Sequence, residues 1–303
     1  MRKFIIDTDT AADDAVALLL ALRQADIEIL GITTVCGNVP LELATKNAIT
    51  VMEAANREVP VFMGAKKPLK RELYTAEYVH GLDGLGDADL VHPKALPQKG
   101  DAVDFILDTV KKYKNEIEII ALGPATNIAA AILRDSEAMK GVKRIFSMGT
   151  AGQGEGNVTE AAEFNVYVDA ESYDIMLKSG IPITVIGLDM CLGASSLTKD
   201  ELEALSVLSD LGEFVFKCTG KIVEHNLNKF SSHTADIPDA IAVACVLWEE
   251  TVISKKDFYL ECSVKNDLSY GGVALLNSDT PNATVITEFD SALFKEMLFE
   301  TLA

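Results

Sequence analysis

Short β-branched runs alternate with helix-length amphipathic segments along most of this 303-residue chain, and that alternation constrains its fold more than any other feature. FIID (4–7) leads to DDAVALLLALRQA (13–25), IEILGITTVCG (27–37), LELATKNAITVMEAANR (41–57) and VPVFMG (59–64), a βαβαβ pattern. It resumes with DAVDFILDTVKKYK (101–114), EIEIIALG (116–123), ATNIAAAILRD (125–135), VKRIFSMG (142–149), DAESYDIMLKSG (169–180) and IPITVIGLD (181–189). Parallel strands need a crossover between them, so the pattern predicts an α/β fold: a Rossmann-like open, mostly parallel sheet with helices on both faces. Two segments interrupt it. Residues 65–100 are rich in Gly, Pro and charge and too long for an ordinary connection, which marks a functional loop. Residues 198–248 read as all-helical and 257–289 as a few strands before a last helix, so C-terminal helical and small antiparallel additions are expected. With no repeat, low-complexity tract or linker, residues 1–303 read as one domain.

In open α/β sheets ligands sit beyond the carboxyl ends of the strands, so chemistry is sought where the apolar runs stop. The first stop presents Asp7, Asp9, Asp13 and Asp14; TTVCGN presents Asn38; ALGPATN follows the fourth run. SMGTAGQGEGN ends in Asn157, and EFN supplies Glu163 and Asn165. Asp13 or Asp14 alone reads equally well as a helix cap. Four carboxylates within eight positions are another matter, because close acids repel and lose hydration as the chain folds around them. A cation would relieve both costs. Oxygen ligands with no His or Cys beside them favour Ca²⁺ or Mg²⁺ over zinc. Asp236 and Asp239, ahead of the apolar run AIAVAC, offer further acids, again with helix capping as the alternative.

Lys and Arg number 27 against 46 Asp and Glu, a formal charge of −19, which argues against duplex nucleic acid or anionic lipid as a partner. Cys36, Cys191, Cys218, Cys245 and Cys262 are scattered and never in CxxC spacing, so neither a disulfide framework nor a zinc site is favoured. The N-terminal apolar run stops after three residues and no later run reaches membrane-spanning length, so a cytoplasmic location is expected.

DTDxxxDDxxAL at 7–18, followed by ITTVCGN, HGLDGLG, ALGPATNIA, GNVTEAAEFNVYVDAE and a late DAIAVA, resembles the nucleoside hydrolase family, the inosine-uridine-preferring type in particular. These separated blocks fall in the family's order, in register as far as Ala244. The resemblance implies a calcium-dependent N-ribohydrolase on a Rossmann-like sheet, a homodimer or homotetramer, with a ribonucleoside substrate and no nucleic-acid or membrane partner. Carried over residue by residue, it implies calcium ligation by Asp9, Asp14, Asp239 and the backbone carbonyl of Leu122. It assigns the ribose to Asp13, Asn38, Asn157, Glu163 and Asn165, with Met148 lining the pocket and Asp7 as a supporting acid. Two departures follow. Thr10 and Ala11 replace the family's usual Pro-Gly, which predicts a differently shaped loop because Ala adopts positive φ less cheaply than Gly. Pro238 stands where such enzymes carry the His that protonates the leaving base.

Cleaving an N-glycosidic bond passes through an oxocarbenium-like cation, so it calls for negative charge near the sugar ring and an activated water below the anomeric carbon. Asp9 is the expected general base, with Asp13, Glu163 and Asn165 holding the ribose hydroxyls. His80, in VHGLDGLG, matches a family position near the base pocket, so the resemblance makes it the candidate group at the leaving base. His225 and His233 read as surface residues, His92 as a loop residue, and Tyr74, Tyr78 and Lys229 as weaker candidate donors; Trp248 reads as core. Two other readings compete. FIIDTDT resembles the strand and DxD of haloacid-dehalogenase-like phosphatases, with Asp7 as nucleophile and Asp9 as acid, although Ala11 and the lack of downstream Lys and paired-Asp motifs argue against it. A non-catalytic ribose or nucleoside binder on the hydrolase scaffold is the second, and Asp9 argues against that, since a binder needs no base there.

Overall fold

Each of the six early apolar runs forms a strand in the computed structural model, which describes residues 1–303. β1 (Arg2–Thr8), β2 (Ile27–Thr34), β3 (Val61–Met63), β4 (Ile117–Ala121), β5 (Arg144–Met148) and β6 (Ile183–Ile186) pair in parallel in the order β3-β2-β1-β4-β5-β6. A separate antiparallel ribbon joins β7 (Leu197–Thr198) to β8 (Thr234–Ala235). The main sheet continues past β6 with β11 (Ala283–Phe289) in parallel, then β9 (Val252–Cys262) and β10 (Val273–Leu276) antiparallel.

Strand periodicity places the core on both faces. Phe4 and Ile6 of β1 join the apolar cluster built around the helix Ala12–Arg23, whereas Ile5 points the other way, into the cluster that includes Ile106 and Ile128. Ala12 to Leu22 are buried without interruption, so that helix is wrapped on all sides, by the helices Leu41–Ala54 and Pro238–Leu247 among others.

The segment expected to be all-helical is not continuous helix. Helices span Lys199–Ser206, Asp210–Cys218, Gly220–Phe230 and Pro238–Leu247, but β8 separates the last two. Ser231 turns the chain out of its helix at φ +55, and Pro238 disfavours helical geometry at Ile237, whose φ is −131. Residues 65–100 are irregular apart from the short helix Glu77–His80, as expected of a functional loop. Ala11 lies at φ −115, ψ −157, so alanine meets no left-handed strain and the cost expected from losing glycine there does not arise. No helix is long and apolar enough to cross a membrane.

Strand order reverses between β1 and β4, since the chain builds β2 and β3 on one side of β1 and then crosses to β4 on the other. In such sheets the crevice at that reversal is where ligands bind. The acids after β1 and the Leu122–Gly123 turn after β4 both open into it.

Candidate active site

Asp7 is fully buried, and its Oδ2 accepts from Thr33 Oγ1 at 2.5 Å and Asn127 Nδ2 at 2.8 Å. Burial pushes its carboxyl up to about 6, against the two hydrogen bonds that favour the charged form. It ties β1 to β2 and to the helix Thr126–Arg134, and it does not line the cavity. These bonds suit a supporting acid.

Asp9 is the next inward acid. Its Oδ2 accepts the backbone N–H of Asn38 at 2.5 Å, while Oδ1 is buried without a partner. Two glycines make room for it: a Cβ on Gly37 would lie 2.0 Å from Oδ2, and one on Gly123 2.6 Å from Oδ1. Asp14 stands at the start of the helix, where Oδ2 accepts from the Ala11 N–H at 2.9 Å and Oδ1 from Thr8 Oγ1 at 2.5 Å. The capping role weighed for Asp14 is therefore filled by its side chain.

One oxygen each of Asp13, Asp14 and Asp239 lie within 4.8 Å of one another, and all three side chains are buried. Asp9 stands outside this triad, yet near enough for the charges of Asp14 and Asp13 to raise it. Burial pushes Asp13 and Asp14 up to about 6 and Asp9 and Asp239 further, with neighbouring acids raising Asp9, Asp14 and Asp239 and the Asp236 charge raising Asp13. No Lys or Arg pairs with any of them; the one basic group beside them is His80, whose Nδ1 is 3.7 Å from Asp13 Oδ1. Burial lowers the imidazole to about 4, so it is neutral at pH 7 and supplies no counter-charge. Oδ1 of Asp9, Asp13 and Asp239 are all buried and unpartnered. Four acids with three orphaned oxygens and no counter-cation fit a hard divalent ion bound through oxygen.

Above these acids lies a cavity of about 700 Å³. Asp13, Asn38, His80, Met148, Asn157, Glu163, Asn165 and Asp239 line it, whereas Asp9, Asp14 and the Leu122 carbonyl lie beneath its wall. Asn165 Nδ2 donates to the Leu122 carbonyl at 2.6 Å and to that of Met148 at 3.3 Å, joining the ends of β4 and β5. Glu163 caps the helix Phe164–Val168 through the N–H groups of Asn165 (2.8 Å) and Val166 (3.3 Å), and also accepts from Thr150 N at 3.2 Å. Burial nevertheless pushes it up to about 7. Thr150 holds φ +78, a strained setting for a β-branched residue, and such strain gathers at functional sites. Asn157 is exposed at the rim.

The opposite wall was not legible in the sequence. It comes from the helix Gly220–Phe230 and the turn after β8, which bring Asn226, His225, Asp236 and Pro238 to the cavity. His225, read as a surface residue, is half-buried and faces the Tyr78 ring at 5.7 Å. Tyr78 and Lys229 also line the cavity and Tyr74 does not. His233 and His92 are exposed, as expected, the latter 2.8 Å from Asp89 Oδ1. Trp248 packs in the core against Phe294. One signal was available: Ile222 and Asn226 are four residues apart, so a helix there buries both on one face.

The family model for inosine-uridine preferring nucleoside hydrolase matches residues 4–296. A pyrimidine-specific ribonucleoside hydrolase, RihA, of Shewanella sp. (strain MR-7) is 34% identical over 312 aligned positions, covering 100% of this chain and 96% of its own. Among solved structures, a plant nucleoside hydrolase, PpNRh1, superposes with a TM-score of 0.93 at 30% identity, covering 99% of this chain and 98% of its own. A purine-preferring ribonucleoside hydrolase from Gardnerella vaginalis gives 0.92 at 28% identity with the same coverage. One relative is thus named for pyrimidines and another for purines, so likeness alone does not choose the base. With the match running almost from end to end, this chain is an enzyme of the inosine-uridine preferring nucleoside hydrolase family.

Proposed function

We propose that this protein hydrolyses the N-glycosidic bond of ribonucleosides in a calcium-dependent reaction, releasing ribose and free base. The observation that carries the reading is the oxygen-only cluster of buried acids, without a counter-cation, on the floor of a cavity large enough for a nucleoside. Asp9, Asp14, Asp239 and the Leu122 carbonyl would hold Ca²⁺. When bound, it supplies positive charge that offsets the acids and makes a nearby water easier to deprotonate.

The rest is work for the chain's own groups. Asp9 Oδ1, which no protein donor occupies, is the oxygen left to take a proton from the attacking water, while the Asn38 N–H fixes the other oxygen. Asp13, Asn38, Asn157, Glu163 and Asn165 orient the ribose, with Met148 against it, and the carboxylates stabilise the positive charge that develops on the sugar. His80 is neutral at working pH, so it meets the leaving base as a neutral hydrogen-bonding group rather than as a stored proton. A cytoplasmic homodimer or homotetramer of one-domain subunits completes the reading. A phosphatase using Asp7 is disfavoured by the hydrogen bonds from Thr33 and Asn127 that tie this carboxylate into the scaffold.

The test is release of reducing sugar from inosine, adenosine, guanosine, uridine and cytidine, with calcium and with chelator, for wild type and Asp9→Asn. Calcium-dependent release that disappears in the variant supports the mechanism. Equal release in chelator would overturn the calcium requirement, and binding of nucleosides without release would favour the binder.

A further inference from the structure

The helix wall of the cavity carries a polar cluster that the ribose and the acids of the floor do not use. Asn226 is buried, and both N–H bonds of its side-chain amide are committed, to the Thr234 carbonyl at 3.0 Å and to Asp236 Oδ2 at 2.9 Å. Both partners can only accept, so the orientation of the amide is fixed by chemistry: turning it over would set its carbonyl against two other oxygens. Its Oδ1 therefore accepts nothing from the protein, and it is not sealed away from accessible space. Asp236 is held on its other oxygen by Ser196 Oγ at 2.5 Å, leaving each carboxylate oxygen with unused capacity to accept. Asn226, Asp236 and Ser196 all line the cavity.

We infer that Asn226 Oδ1 and the Asp236 carboxylate form a base-reading subsite for hydrogen-bond donors, which selects nucleosides whose base carries an exocyclic amino group. This rests on the hydrolase reading above, in which the ribose occupies the floor; the base then takes the remaining cavity, whose wall between the helix Gly220–Phe230 and β8 carries these acceptors. An amino group brings two N–H bonds from one nitrogen and can satisfy both acceptors. An oxo group at the same ring position brings lone pairs to a carboxylate, and the single N–H of the neighbouring ring nitrogen can satisfy at most one of the two acceptors, so one stays unpaired. Cytidine and uridine differ in this way, as do adenosine and inosine, and in both pairs the adjacent ring nitrogen changes from acceptor to N–H donor as well; adenosine against purine riboside changes the amino group alone. Asp236 also keeps Asn226 from turning, and so acts both on the base and as a positioning residue.

The experiment is kcat/KM for adenosine against purine riboside, cytidine against uridine and adenosine against inosine, in wild type, Asp236→Asn and Asn226→Ala, each checked for wild-type melting temperature. The amino member should lead by about tenfold or more in at least one pair, and that ratio should fall by about tenfold in Asp236→Asn, whose amide can present donors to the cavity. Asn226→Ala should lower the same ratio. A wild-type ratio of one or less in all three pairs, or a ratio unchanged in both folded variants, overturns the inference. Calorimetric binding of the same nucleosides to Asp9→Asn separates it from the chemistry. If no nucleoside is cleaved but the amino members still bind about tenfold tighter, the hydrolase reading fails and the subsite stands; equal affinities sink the subsite.

Discussion

Asn38 donates its backbone N–H to Asp9 Oδ2 at 2.5 Å, and this one bond joins the loop after β2 to the acid that follows β1. The contact exists because Gly37, the residue before Asn38, carries no side chain: a Cβ there would stand 2.0 Å from that same oxygen. Gly37→Ala should therefore displace the Asp9 carboxylate while leaving its chemistry intact. A misplacement of about 1 Å can lower rates by about 10²-fold, and kcat for ribose release should fall by that order. A Gly37→Ala enzyme with wild-type kcat would show that the position of Asp9 is unimportant.

Calcium should raise the melting temperature. At about 100 times its Kd, a ligand that binds only the folded state adds about 2.7 kcal/mol of stability. Asp239→Asn should lose most of that increment and yet melt higher than wild type in chelator, because it removes one charge from a buried triad of acids. Scanning calorimetry of both proteins, with calcium and with chelator, reads both effects. A variant that melts lower than wild type in chelator and keeps the full calcium increment would contradict the assignment.

Stability in chelator should fall as pH rises from about 4 to about 7. Asp7, Asp13 and Asp14 are pushed up to about 6 and Glu163 to about 7, above their unfolded values near 4. Groups raised in this way stabilise fully below the unfolded pKa and lose that contribution as pH climbs through the folded one. His80 acts in the opposite direction: lowered to about 4, it contributes above its unfolded pKa near 6.5 and loses this as pH falls. One imidazole stands against several carboxylates, so the carboxylates set the sign. Calcium binds their charged forms, and its increment in melting temperature should grow over the same pH range. A chelated protein that becomes steadily more stable up to about pH 7 would refute this balance.

His80 should matter most when the leaving group needs help. His80→Phe removes a buried ring nitrogen beside Asp13 with little change in apolar volume. We expect kcat for nucleosides to fall by about 10²-fold, within the usual range for hydrogen-bonding or proton-transfer assistance. A p-nitrophenyl riboside, whose leaving group needs no protonation, should lose much less. Equal losses on both substrates would assign His80 to sugar positioning instead.

How much of this was readable before folding depends on distance along the chain. The strand runs, the helix starts and the acids and amides at strand ends are local patterns. Asp9, Asp13, Asn38 and Glu163 could be singled out because open parallel sheets gather such ends at one edge whatever the loops do. The union of Asp239 with Asp13 and Asp14 is long-range, and it was legible only through the late DAIAVA block. His225 was misread because its exposure is not set by its own helix: the loop that carries Tyr78 covers it. Asn226 looks like an ordinary polar residue in sequence and Asp236 like a further acid or helix cap, and only the ribbon of β7 with β8 brings them together at the cavity and locks the amide. Local chemistry thus determined the sheet, its order of elements and the acids at its edge. Tertiary packing decided which charges lack partners and which surfaces face the substrate, because burial depends on what the rest of the chain lays over each residue.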